Sequence, residues 1–366
     1  MRLAVLHLSL TGFWNICLRN LHAQGDVSIF VSHHRIDPNT PFDSGMFSWI
    51  DDRYDWDQTP DADHLLDRLR AFQPDVLLIF GWHVPAYRRV GRAMKGKSKR
   101  VLFFDNPWRG TAKQWLGVIT SRVHVLPIAD YAWIPGNRQH EFARRLGFRE
   151  SQIMEGSLSG DSVLFSSVPK MRGELAQRPR TFLFIGRFVK SKGISVLLSG
   201  YATYRSRCEN NPWPLICVGA GPMANEVTSC EGVVSRGFLQ PEELARAMAQ
   251  VSVFVLPSLF EPWGVVVNEA ASAGMPMIVS DAVGSHVHLV QSGSNGYIVE
   301  TGSAESLSEA MLRFHQMDDA ALSEMGKASE QLAKQYTPER WAATLRQIAS
   351  GANSLEKEAP QPSLVP

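Results

Sequence analysis

Two carboxylates stand eight residues apart in "LFEPWGVVVNEAASAGMP", residues 259–276, a stretch that is otherwise apolar or small. Glu261 precedes Pro262. Around Glu269, the residues Val265, Val266, Val267, Ala270, Ala271 and Ala273 cover every face of the helix they would form. A carboxylate in such surroundings is costly unless something satisfies it. An ion pair with a core arginine would do so, and so would a ligand.

A second stretch carries the opposite charge. In "FLFIGRFVKSKGISVLL", residues 182–198, an apolar strand ends at Gly186, Arg187 follows, and Lys192 and Gly193 open a helix. Two cations at the carboxyl end of a strand, beside a helix N-terminus, form a site for a polyanion. Arginine forks onto phosphate oxygens and lysine adds a compact charge. The plain alternative is two solvated loop residues.

A third stretch is a false lead. "LICVGAGPMA" places Gly219, Gly221 and Ala224 in the dinucleotide-fingerprint spacing after a strand. The acidic residue expected at the end of the next strand is missing, since "GVVS" is followed by Arg236. Pro222 also interrupts the phosphate turn. A nicotinamide or flavin site is not supported.

The elements that must position these groups follow from periodicity. In the first half, apolar strand-like runs fall near 2–8, 27–32, 75–80, 100–105 and 131–134, with helical stretches such as 61–72 and 137–147 between them. The polar run "SSVPKMRGELAQRPR" (166–180) separates the halves. Strands then recur near 181–186, 214–219, 233–236, 252–256, 276–280 and 297–299. Short continuous apolar strands alternating with helices imply parallel sheets covered on both faces. The expected fold class is therefore α/β, with two Rossmann-like, doubly wound domains facing a cleft.

Several of these segments, in order, resemble one family. "FIGRFVKSKG" is similar to the F-x-G-R-x4-K-G segment of the retaining glycosyltransferases of family 4, which have the GT-B fold. "EPWGVVVNEAASAGMPMI" resembles that family's E-x7-E signature. "VGAGP", "VVSRGFLQPEELARAMAQVSVFVLPS" and the final "YTPERWAATLRQI" follow the family in order and spacing. The likeness is close over 181–348 and loose over the first half.

The resemblance implies a donor site. Glu261 would grip sugar hydroxyls, and Glu269 would take both ribose O–H groups, whose spacing matches a carboxylate. Pro262 is expected in the first turn of the following helix. The free N–H groups near Gly264, Val265 and Val266 would then face the cleft. Gly186, Gly219, Gly237, Phe238 and Leu239 are the further donor-side positions. Arg187 and Lys192 would stabilise a leaving diphosphate, so neither a metal nor a cofactor is expected beyond a nucleotide diphosphate sugar as co-substrate. The family's mechanism retains anomeric configuration without a protein nucleophile. A glycosidase reading would need both carboxylates beside one scissile bond.

The first half departs from the family. Its glycine-rich loop survives only as "SLTGFWN", with Gly12 as the candidate backbone contact. Asp105, in "VLFFDNPW", stands where many members carry a histidine, and would bind sugar hydroxyls or orient the acceptor. His83, Trp82 and Trp108 follow strand ends and are the acceptor-side candidates, with core or surface packing as the bland reading of each. His288, in "VGSHVHLV", stands where the family commonly has glutamate.

Composition bounds the rest. The chain has 366 residues and a formal net charge of +1, which gives no footing for nucleic acid. Cys17, Cys208, Cys217 and Cys230 are scattered, which reads as reduced, cytoplasmic and metal-free. The start, "MRLAVLHLSL", reads as a first buried strand rather than a signal peptide. Residues 87–100 hold seven basic residues: a solvated face, or a peripheral contact with anionic lipid at the inner face of the membrane. The expected organisation is an acceptor-binding domain over 1–170 and a nucleotide-sugar-binding domain over 171–335. A helix over 336–351 would cross back to the first domain, ahead of a disordered tail over 352–366. Partners would be the nucleotide sugar and a glycan, lipid-linked or small-molecule acceptor. The rivals are a 2-epimerase or hydrolase on the same scaffold, and a non-catalytic nucleotide-sugar-binding module.

Overall fold

The computed structural model describes residues 1–8, 11–33, 44–50, 52–173, 179–208 and 210–351. The expected tail lies outside these residues, as does part of the polar run between the halves.

Among the described residues, thirteen strands form two wholly parallel sheets. The first holds β1 (Arg2–Leu6), β2 (Ser28–His33), β3 (Asp52–Asp55), β4 (Val76–Phe80), β5 (Lys99–Phe103), β6 (Tyr131–Trp133) and β7 (Ile153–Met154), in the order β3-β2-β1-β4-β5-β6-β7. The second holds β8 (Phe182–Ile185), β9 (Leu215–Val218), β10 (Val233–Gly237), β11 (Val253–Leu256), β12 (Met277–Ser280) and β13 (Gly296–Val299), in the order β10-β9-β8-β11-β12-β13. Both orders reverse direction once, between β1 and β4 and between β8 and β11. Parallel strands need covered crossovers, and helices occupy the connections.

The second sheet matches the expected six strands. The first has seven where five were expected. β3 carries one buried side chain, Tyr54, among polar residues, so it has no apolar run to announce it. β7 is two residues long. Both lie at or near a sheet edge, where hydrogen bonding to one neighbour suffices without an apolar pattern.

The two domains share a core. Trp14 and Trp133 of the first domain, Trp263 of the second and Trp341 of the last helix, Pro338–Ser350, are all buried in one cluster. The Trp133 and Trp341 rings lie 4.9 Å apart, and the Trp341 indole N–H donates to the Ser157 carbonyl at 3.0 Å. The last helix thus packs against the first domain. Crossing in the other direction comes early in the chain: Phe165 and Val168 are already buried in the second core. Buried Arg172 then donates to the carbonyls of Met248 and Gly274.

Candidate functional site

The carboxyl ends of the strands face a cavity of about 430 Å³ between the domains, within the size range of small-molecule sites. From the first domain it is lined by Gly12, after β1, and by Asp105, after β5. From the second come Gly186, Arg187 and Lys192 after β8, Gly219 after β9, Phe238 and Leu239 after β10, and Glu261 after β11. Gly264, Val265, Val266 and Glu269 complete that wall.

The helix behind this wall spans Val265–Ser272 and begins later than expected. Pro262 lies upstream of its first turn. Gly264 is the N-cap, in the left-handed region at φ 91°, and a Cβ there would sit 3.1 Å from the Glu261 side chain. Glycine therefore sets the helix start and lets Glu261 fold back against it. Val265 and Val266 line the cavity, and their N–H groups belong to the helix's first turn, which leaves them without partners inside the helix. The helix is not buried on every side, because Val265, Val266 and Glu269 are half-buried where the cavity opens.

Lys192 and Glu261, on loops from adjacent strands, form an ion pair. Their side chains are 15% and 12% exposed, so Lys192 is not a solvated loop cation. Arg187 is exposed at the cavity edge. The turn behind them needs glycine: Gly219 has φ 145°, and a Cβ there would lie 2.0 Å from the Gly186 carbonyl. Gly237 is not among the lining residues, but its carbonyl accepts from the Gly219 N–H at 2.8 Å and so holds that turn.

Glu269 makes no ion pair among the described residues, so the core-arginine alternative is not what the fold uses. Burial, with the nearby Asp161 carboxylate, pushes its acid up to about 7. Its side chain packs on Gly160, where a Cβ would come within 2.9 Å of the Glu269 Cγ. Burial likewise raises Asp105 to about 6, with Glu261 adding to the rise. Burial thus raises one carboxylate on each wall of the cavity, Asp105 on the first domain and Glu269 on the second. Among the described residues no group of three His, Cys, Asp or Glu side chains could hold a metal ion.

The acceptor-side candidates are placed elsewhere. Trp82 is half-buried and packs against Gly117. His83 is exposed. Trp108 meets Trp115 edge-on at 5.2 Å and lies beneath the Arg145 guanidinium. None of the three lines the cavity. Trp82 and His83 lie in the turn between β4 and the helix Pro85–Ala93, and Trp108 lies in the segment before the helix Ala112–Ile119.

Other residues line the cavity without a sequence signal of comparable strength. Phe13, Asn15, Asp161 and Glu242 line the cavity. Asp161 is visible in sequence only as a helix cap, and it accepts from the Leu164 N–H at 2.9 Å. Gln139 is fully buried, and its side-chain N–H group donates to the Asp105 carbonyl at 2.7 Å and to the Pro262 carbonyl at 2.8 Å. It ties together the loops carrying Asp105 and Glu261. His288 joins the domains as well: its Nε2 accepts from the Asn137 N–H at 3.2 Å.

Residues 179–317, the segment that holds Arg187, Lys192, Glu261 and Glu269, match the family described as Glycosyl transferases group 1. The second domain is a group 1 glycosyltransferase domain. Among curated relatives, an uncharacterized glycosyltransferase of Methanocaldococcus jannaschii is 29% identical over 35% of this chain and 34% of its own length. A D-inositol 3-phosphate glycosyltransferase of Corynebacterium aurimucosum is 28% identical over 47% of this chain and 43% of its own. These matches span about a third to under half of those relatives. A GDP-mannose:cellobiosyl-diphosphopolyprenol alpha-mannosyltransferase of Xanthomonas oryzae pv. oryzae is 27% identical over 68% of this chain and 66% of its own length.

The glycosyltransferase domain sits in a GT-B fold. Sucrose-phosphate synthase from Thermosynechococcus elongatus superposes with a TM-score of 0.72 over 96% of this chain and 98% of that one, at 19% identity. Anabaena HepE in complex with UDP superposes at 0.73 over 96% and 100%, at 16% identity. At such identities the likeness speaks to architecture alone.

Proposed function

We propose that this protein is a retaining glycosyltransferase that moves a sugar from a UDP- or GDP-sugar to a hydroxyl on a glycan, lipid-linked saccharide or small metabolite. The observation that carries the reading is the convergence, at one interdomain cavity, of Arg187, the Lys192–Glu261 pair and Glu269, which makes no ion pair among the described residues and lies beside a helix N-terminus. The names of the similar proteins support the donor and acceptor classes: the Xanthomonas relative is named for GDP-mannose and a diphosphopolyprenol-linked acceptor, and HepE was solved with UDP.

In this reading Glu269 takes the ribose diol, and Arg187 and Lys192 hold the diphosphate. Breaking the anomeric C–O bond leaves an added negative charge on that diphosphate, which the two cations and the first-turn N–H groups stabilise where it develops. The acceptor oxygen bonds to the anomeric carbon from the face the diphosphate leaves. Its proton passes to a diphosphate oxygen, so no metal and no protein nucleophile is required. Lys192 lies against Glu261 until a donor arrives, and Glu261 is then released to sugar hydroxyls. Asp105, across the cavity, orients the acceptor.

Thermal shift against UDP, GDP, ADP and TDP identifies the base, since a ligand of the folded state raises the melting point. Product analysis by NMR with the matching nucleotide sugar and an acceptor panel then tests the reaction. A glycoside with the donor's anomeric configuration is the expected result. An epimerised or hydrolysed sugar formed without acceptor, or binding without turnover, would replace this reading with an epimerase, a hydrolase or a binding module.

A further inference from the structure

The helix Ala112–Ile119 is built inside out. A surface helix ordinarily turns its apolar stripe to the core, yet the one buried residue here is Gly117. Trp115, Leu116 and Ile119, which share a face at helical spacing, are 47%, 62% and 74% exposed. Val123, on the next short helix, extends the ridge at 59%. These four account for half of the eight large apolar side chains exposed among the described residues. The ridge is also fixed in place. Thr111 caps the helix through the Gln114 N–H at 3.3 Å, and the Gln114 side chain donates to the Pro107 carbonyl at 2.7 Å.

The surroundings are basic. From His83 to His124 the chain carries ten Lys and Arg residues against one acid, Asp105, which lines the cavity; of the ten, Arg100 is buried on Asp130 and Arg89 is paired with Asp63. Arg88, Arg92 and Lys95 lie along one side of the helix Pro85–Ala93 and its end. The Arg92 guanidinium donates to the Val123 carbonyl at 2.8 Å, which joins that basic row to the apolar ridge. Lys113 and Arg122 are exposed on the ridge's own segments.

We propose that this face docks on an anionic lipid surface, with Trp115, Leu116, Ile119 and Val123 entering the headgroup–acyl boundary and the basic row resting on the headgroups. An apolar ridge rimmed by cations complements such a surface on both counts, with Glu141 beside it already paired to Arg145, which stacks on Trp115. The ridge follows directly from the loop that carries Asp105, so docking would bring the cavity mouth close to acceptors embedded in the membrane. This goes beyond the proposed transfer reaction, and it is read without turnover.

The test is flotation of the full chain with vesicles of phosphatidylcholine alone or mixed with phosphatidylglycerol. The chain should float with the mixed vesicles, and less so as salt rises. Leu116→Ser with Ile119→Ser should weaken binding at least about tenfold, given the worth of burying a large apolar side chain. Replacing Arg88 and Lys95 by glutamine should cost about fivefold per charge. Brominated acyl chains should quench tryptophan emission, less in Trp115→Phe. Arg88 is half-buried and the other side chains are exposed, so the melting points should stay near the native value, and Ile119→Ser alone serves if the double variant misfolds. Absence of flotation with anionic vesicles, or undiminished flotation of the well-folded Leu116→Ser, Ile119→Ser chain, would overturn the proposal. So would a dimer in sedimentation that Ile119→Ser dissolves, since the ridge would then belong to a second copy.

Discussion

The side-chain amide of Gln139, on a helix of the first domain, donates to the carbonyl of Pro262 in the second at 2.8 Å. The same nitrogen donates to the Asp105 carbonyl at 2.7 Å. One buried N–H group therefore sets the distance between the two acidic loops on opposite sides of the cavity.

Gln139→Met keeps the volume and removes both donors. A buried acceptor left unpaired costs roughly 1–3 kcal/mol, so the melting point should fall measurably. Misplacement of the loops by about 1 Å should lower turnover by ~10²-fold. Nucleotide affinity should change little, because Arg187, Lys192 and Glu269 all belong to the second domain. A matched loss of kcat and nucleotide affinity, read by kinetics and calorimetry, would show a merely structural role.

Arg187 and Lys192 should separate in stability while agreeing in activity. Replacing either by alanine should cut turnover by ~10²–10³, the range for losing one key electrostatic donor. Arg187 is exposed, so its removal should leave the melting point nearly unchanged. Removing Lys192 strands Glu261 at 12% exposure and should destabilise by about 1–3 kcal/mol. An unchanged melting point in the Lys192 variant would contradict a stabilising ion pair with Glu261.

Glu269 gives a pH signature of definite sign. Its acid is raised from 4.5 to about 7 in the fold, so the native state holds the proton more tightly than the unfolded state. Its contribution to stability is fully present below pH 4.5 and is lost as pH rises through 7. Glu269→Gln should therefore be more stable than the native chain at pH 8, by on the order of 2–3 kcal/mol, and the gap should close in acid. A ribose diol donates to the ionised form, so affinity for a nucleotide diphosphate sugar should rise with pH through this window in the native protein and stay flat in the variant. In the native chain a 2′-deoxy nucleotide should bind more weakly than its ribo counterpart, and the variant should discriminate far less.

His288 acts in the opposite direction. Burial, with His286 nearby, lowers its pKa from 6.5, and its Nε2 must be unprotonated to accept from the Asn137 N–H. The unfolded state then binds the proton more readily. This interdomain contact is fully present above pH 6.5 and weakens as pH falls below it. Comparing unfolding midpoints of the native chain and His288→Gln between pH 8 and pH 5 isolates the effect. The native chain should lose more stability on acidification than the variant does.

Much of this molecule can be read from local pattern, and the reason is distance along the chain. Alternating apolar runs and helices announce two parallel sheets, because each strand's burial on both faces is written in four or five consecutive residues. The spacing of Glu261 and Glu269, and of Arg187 and Lys192, is equally local. What only the tertiary structure decided lies between segments far apart. Lys192 finds Glu261 across 69 residues and Gln139 finds Pro262 across 123. The polar edge strand β3 forms because a neighbour offers hydrogen bonds, with no apolar run to mark it. Helix periodicity alone shows that Trp115, Leu116 and Ile119 share a face. Which way that face points depends on the packing of Gly117 against Trp82, a contact that no stretch of sequence contains.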